Sequence, residues 1–109
     1  MEHRLLGRSG LKVPVLSLGT ATFGGTTDFF SRWGACTVDQ ATRIVDLCLD
    51  HGANFFDSAD IYDLGESERI LGPAVKGRSS SVLISTKATF ATSDGMSISR
   101  YIVHQCFYS

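Results

Sequence analysis

The chain has 109 residues, 43% of them apolar, and a formal charge of −1, which describes one ordinary globular domain without the basic surface that attracts nucleic acid. Its opening MEHRLLGRSG lacks an apolar core followed by a small-residue cleavage site, and no apolar run approaches the roughly 20 residues that span a bilayer. A cytoplasmic protein with no membrane contact is therefore expected. Cys36, Cys48 and Cys106 are widely spaced with no histidine at ligand distance, a pattern that indicates neither a disulfide framework nor a metal site.

Residues 4–14 hold two short strand-like pieces about a Gly/Ser turn, which predicts a leading β-hairpin. Val15 to Gly19 reads as an apolar strand. Thr20 to Gly34 has no helical period but contains glycines and the cluster Phe29, Phe30 and Trp33, so a long loop is expected at the carboxyl end of that strand. These aromatics either cover the top of the core or line a substrate pocket. Thr37-Val38-Asp39-Gln40 has the form of a capping box, and Val38, Ala41, Ile44, Val45, Cys48 and Leu49 recur with the period of a helix that His51-Gly52 stops.

Asn54-Phe55-Phe56-Asp57 is a short apolar strand that ends on a carboxylate, and Asp63-Leu64-Gly65-Glu66 turns into a helix expected from about Glu66 through Val75. Gly72-Pro73 should shorten or kink that helix, because proline removes one backbone hydrogen bond and clashes with the carbonyl four residues back. Val82 to Lys87 is a buried strand, Ala88 to Gly95 a loop, and Ser97 to Ser109 the opening of a third helix. Alternating strands and helices imply a parallel sheet with right-handed crossovers. The apolar positions Leu16, Leu18, Val38, Ala41, Ile44, Val45, Cys48, Leu49, Phe56, Ile70, Leu71, Val82 and Ile84 are expected between sheet and helices.

In parallel neighbouring strands, Asp57 and Lys87 emerge at the same carboxyl edge with Tyr62 in the loop above them, the edge where α/β folds place active sites. A phenol is a poor acid near neutral pH, and an adjacent ammonium favours its ionised form. With Asp57 holding Lys87, such a set suits proton transfer to or from a carbonyl oxygen. An ordinary salt bridge beside a rim tyrosine fits the same three residues.

The wording of three motifs goes further. LGTATFGG from Leu18, FFDSADIYDLGESERILG from Phe55 and ISTKATF from Ile84 resemble, in order, the aldo-keto reductases, and among them bacterial-type members with a first loop like FFSRWGA. The likeness runs from about Arg4 to Phe90. Members are (β/α)8 TIM barrels that bind NADP(H) without a Rossmann fold and use an Asp, Tyr, Lys, His tetrad. The resemblance therefore implies Asp57, Tyr62 and Lys87 as catalytic residues, with Tyr62 as general acid/base, Lys87 lowering its pKa and Asp57 positioning Lys87. It also implies Gly19, Thr20 and Asp57 beside the nicotinamide ribose, no metal, and a small carbonyl or alcohol as substrate.

The family's histidine closes the next strand, whereas His104 falls in the expected third helix and does not match it, so the fourth role is vacant. A TIM barrel takes about 250 residues, and about three βα units behind a hairpin make an incomplete one. Residues 1–109 thus read as a single partial domain with open sheet edges that favour self-association. The tail departs from the family pattern in the manner of a truncated or frameshifted end. The leading expectation is the N-terminal part of an NADP-dependent reductase, inactive alone. The alternatives are a non-catalytic remnant or regulatory subunit that pairs with another barrel fragment, and an unstable product without function.

Overall fold

The computed structural model describes residues 1–87 and the backbone of residues 101–105. The hairpin forms as expected: β1 (His3–Leu5) pairs antiparallel with β2 (Lys12–Pro14), with Arg4 opposite Val13. The first strand of the main sheet is shorter than the apolar run that announces it. Val15 donates its amide to Glu2 O at 3.0 Å and so extends the hairpin, and β3 covers only Leu18–Gly19. Leu16 is consequently 62% exposed instead of buried.

The main sheet runs in the order β3, β4 (Phe55–Asp57), β5 (Leu83–Lys87), β6 (Tyr101–Gln105). The first three strands are parallel, with Leu18, Phe56 and Ile84 in one row and Gly19, Asp57 and Ser85 in the next. Alternation sends these two rows to opposite faces. Phe56 is fully buried among Ala41, Val45, Ile70, Leu71, Ala74 and Val82, and Leu18 and Ile84 pack against this core. Burying one such phenylalanine contributes about 1.5–3 kcal/mol. The row of Gly19, Asp57 and Ser85 is left for the other face.

Two helices cover the apolar face. α2 (Val38–Asp50) starts on the predicted capping box, in which the Gln40 amide donates to Thr37 Oγ1 at 3.3 Å and the Thr37 amide donates to Gln40 Oε1 at 2.9 Å. It stops at His51, and Gly52 follows with φ +75°, a conformation that a side chain would disfavour. Val38 is the first residue of the helix and is 38% exposed, contrary to expectation. α3 (Glu66–Ala74) runs through Gly72-Pro73 instead of breaking there. Pro73 lies one residue from the helix end, so only one backbone bond is lost, and the deprived carbonyl belongs to the exposed Arg69, where water can reach it.

Two further expectations fail. The loop of residues 20–34 contains one helical turn, α1 (Asp28–Ser31), capped by the Thr27 side chain accepting from the Phe30 amide. The expected third helix is replaced over residues 101–105 by β6, antiparallel to β5, with Lys87 opposite Tyr101 and Leu83 opposite Gln105. Tyr101-Ile102-Val103 is aromatic and β-branched, and the free edge of β5 offers it a ladder. That edge is thereby occupied, and His104 stands opposite Ile84 in mid-strand. The loop expected at Ala88 to Gly95, and the ends of the expected helix, lie outside the described residues.

Candidate active site

Asp57 and Lys87 close their strands on the face away from the helices, and parallel register brings them together. Backbone bonds carry the ladder past both strand ends: the Ser58 amide donates to Ser85 O at 2.8 Å and the Asp60 amide to Lys87 O at 3.0 Å. The chain then turns so that the Tyr62 amide donates to Ala59 O at 3.2 Å, which raises the tyrosine over the edge. Lys87 Nζ lies 2.7 Å from Asp57 Oδ2, 2.8 Å from Ser58 O and 3.4 Å from Tyr62 Oη.

An ammonium has three protons and no acceptor site. All three of its donors are thus directed at these oxygens, and in the Lys87–Tyr62 contact the lysine must donate. The phenolic proton is then free to point away from the lysine. Burial works against the charge on Lys87, but the hydrogen bond and charge of Asp57, with a contribution from Tyr62, hold its pKa above the ordinary lysine value. The side chains of Lys87 and Asp57 are 18% and 34% exposed, so the pair is sheltered yet reachable from outside.

Ser85 completes the set by donating its hydroxyl to Asp57 Oδ1. Its place on the face of Lys87 is legible from strand alternation, but its contact with Asp57 needs the register. Gly19 is exposed beside Asp57, and a Cβ built on it meets nothing within 4 Å, so open space borders the carboxylate. Thr20 is oriented differently. Its side chain is fully buried, its hydroxyl lies 2.9 Å from Ser67 Oγ and 3.3 Å from Asp57 O, and its amide donates to the same Asp57 O at 2.9 Å.

The aromatic cluster reaches the same edge. Phe30 is buried and meets Tyr62 edge-to-face, with ring centroids 6.2 Å apart, while Phe29 and Trp33 pack on Phe30 at 5.1 and 5.5 Å. Phe29 and Trp33 are 59% and 54% exposed, so the cluster has an outer side facing solvent as well as an inner side against Tyr62. Among the described residues no group of three His, Cys, Asp or Glu side chains could hold a metal ion. None of their helices is long and apolar enough to cross a membrane.

The residue that sequence reasoning missed is Asp63, taken there as part of a turn. Its carboxylate is shielded from solvent and accepts from Thr26 N at 2.9 Å, Thr26 Oγ1 at 2.7 Å and Thr27 N at 2.9 Å. Burial pushes its pKa up, but the bonds from Thr26 and Thr27 outweigh this and hold it at about 2.

A family model described as the aldo/keto reductase family matches residues 15–106. The chain belongs to the aldo/keto reductase family. A probable voltage-gated potassium channel subunit beta of Arabidopsis thaliana is 43% identical to it over 91 residues, which is 80% of this chain and 25% of that protein. The protein of the same description from Oryza sativa subsp. japonica is 41% identical over 91 residues, again 80% and 25% of the two lengths. Among solved structures, a putative aldo-keto reductase of Pseudomonas aeruginosa superposes with TM-score 0.68 at 35% identity, covering 90% of this chain and 35% of its own. The holo form of an aldo-keto reductase from Bacillus halodurans gives 0.69 at 31% identity, covering 93% and 30%. This aldo-keto reductase chain therefore spans a quarter of the length of those curated relatives and about a third of those solved ones. Its fold corresponds to the N-terminal part of their barrel, and the described residues close no barrel.

Proposed function

We propose that this chain carries the proton-transfer part of an NADP(H)-dependent carbonyl reductase, with Tyr62 as general acid/base, Lys87 as its electrostatic support and Asp57 as the anchor of Lys87. The observation that carries the reading is the Lys87 ammonium, which donates at once to Asp57, Ser58 O and Tyr62 Oη. In the reducing direction Tyr62 gives its proton to the carbonyl oxygen, and the phenolate left behind faces a cation already in place. Preorganised charge of this kind needs no rearrangement as the reaction proceeds. Lys87 keeps its own protons because Asp57 holds it charged. In the direction of alcohol oxidation the same pair receives the proton.

The open space beside Gly19 would take the nicotinamide and its ribose, with Asp57 as acceptor for a ribose hydroxyl and Thr20 steadying Asp57 through its bonds to the Asp57 carbonyl. When bound, the dinucleotide supplies or accepts the hydride at the carbonyl carbon. Phe29, Phe30 and Trp33 form an apolar wall next to Tyr62, which favours small apolar or aromatic aldehydes and ketones over charged ones. The joined Asp57, Lys87 and Tyr62 favour an enzyme over a non-catalytic remnant.

The test is a completed chain, in which the remainder of the Pseudomonas aeruginosa relative is joined in frame after Thr89. Tyr62→Phe keeps the ring and removes the transferable proton, so turnover should fall about 10²–10⁴-fold while dinucleotide binding, read by fluorescence, persists. Near-normal turnover in a folded Tyr62→Phe protein rejects the assignment.

A further inference from the structure

Asp63 is a shielded carboxylate with no lysine or arginine paired to it among the described residues. Its backbone and that of Leu64 have φ of +48° and +56°, a region that residues other than glycine seldom occupy. Strain of this kind persists only where the surroundings over-determine it. Here the surroundings are three donors from Thr26 and Thr27, across 36 and 37 positions of sequence.

The loop is fitted to this carboxylate. At its neck Gly24 and Cys36 exchange backbone bonds of 3.0 and 3.3 Å. A Cβ on Gly24, whose φ is +105°, would come within 2.5 Å of Asp63 Oδ2. The segment between Gly24 and Cys36 is thus closed at the neck and fastened at Thr26 and Thr27, immediately before α1. Thr27 caps the turn that carries Phe30, and Phe30 stands against the ring of Tyr62. On its other side, Asp63 is the residue that follows Tyr62.

We propose that Asp63 is a positioning residue for the substrate wall: its carboxylate fixes the segment of residues 25–35 so that Phe30, with Phe29 and Trp33 behind it, faces Tyr62 at a set distance, and so determines affinity for aromatic carbonyl substrates without entering the proton transfer. The role rests on the reading of Tyr62 as the acid, but its structural half can be measured apart from that reading. Trp33 is the only tryptophan in the chain, so its fluorescence reports on this segment alone.

The experiment compares Asp63→Asn and Thr26→Val with the parent. Asn presents an amide N–H₂ where the loop needs an acceptor, whereas Val deletes one donor at an exposed position and keeps the backbone bonds. In the 109-residue chain, acrylamide should quench Trp33 more readily in Asp63→Asn and, to a smaller degree, in Thr26→Val. In the completed chain, the KM for benzaldehyde should rise about tenfold in Asp63→Asn while kcat stays within about twofold and the KM for propanal moves little. Unchanged quenching with an unchanged benzaldehyde KM overturns the proposal, as does a fall in kcat with both KM values constant. If Asp63→Asn does not fold, Thr26→Val decides alone: greater quenching with a raised benzaldehyde KM supports the proposal, and no change in either overturns it. Should Tyr62→Phe keep its turnover, the catalytic reading falls, and the quenching of Trp33 still tests the fastening by Asp63.

Discussion

The two parts that meet at Tyr62 are built by different means. Asp57, Ser85 and Lys87 belong to strands, and their mutual position follows from parallel register and the bonds that continue the ladder past the strand ends. Phe29, Phe30 and Trp33 belong to a loop that is closed by the Gly24–Cys36 backbone pair and donates three hydrogen bonds to one carboxylate in the turn after Tyr62. A strand-borne group is held by many weak constraints that share any loss. A loop-borne group depends on a few strong ones. On the proposed function, chemistry that tolerates little displacement would thus sit on the sheet edge, and the surface that chooses the substrate on the segment that can be re-aimed.

The largest effect should come from the strand-borne cation. Lys87→Met keeps the stem and removes the charge, so the phenolate formed by proton transfer loses its partner. Turnover of the completed chain should fall about 10²–10³-fold, the usual result of deleting one preorganised donor. A second readout separates charge from packing. The Lys87 pKa is raised in the folded chain, so its contribution to stability is complete below its unfolded value of about 10.4 and is lost as pH climbs through the folded value. Denaturant unfolding at stepped pH should show this alkaline decline in the parent and not in Lys87→Met. Equal alkaline slopes in the two proteins would mean that the Asp57–Lys87 pair does not hold the edge together.

Strand period and motif wording make the sheet edge legible: Phe56 inward, Asp57 outward and Lys87 on the face of Ser85 all follow from alternation, and the capping box at Thr37 and Gln40 fixes where α2 begins. Asp63 is illegible for a physical reason. Asp63-Leu64-Gly65-Glu66 has the composition of a solvated turn, and nothing local distinguishes a carboxylate in water from one that accepts three bonds from residues far back in the sequence. The errors at Leu16 and over residues 101–105 share a cause. In each case an edge elsewhere in the fold, the hairpin or β5, captured backbone that the local pattern assigned differently.

The loop-borne part should fail at the other end of the pH scale and by a smaller amount. Folding lowers the Asp63 pKa to about 2, so its contribution is present above the unfolded carboxylate value of about 3.9 and is lost as pH falls through about 2. Between those values the parent should lose stability that Asp63→Asn lacks throughout. Trp33 quenching in the parent should rise in the same window, before the Phe56 core unfolds. Simultaneous loss of the Trp33 signal and of the helices would show instead that the loop is fastened by the core as a whole.

The smallest effect belongs to Ser85, and it tests how far the sheet edge shares its losses. Ser85→Ala removes the hydroxyl that donates to Asp57 Oδ1, leaving that oxygen without this bond while Oδ2 keeps Lys87. Asp57 is 34% exposed, so water can replace the missing donor, and the parallel register that sets Asp57 against Lys87 is untouched. The net cost should be about 1 kcal/mol, a several-fold fall in kcat/KM of the completed chain. Asp57→Asn should cost more, because it removes the charge that holds Lys87. In the double variant, Ser85→Ala should add almost nothing to Asp57→Asn if the serine acts only through that carboxylate. A Ser85→Ala loss as large as that of Lys87→Met would mean that the orientation of Asp57, and not the charge it supplies, governs the edge.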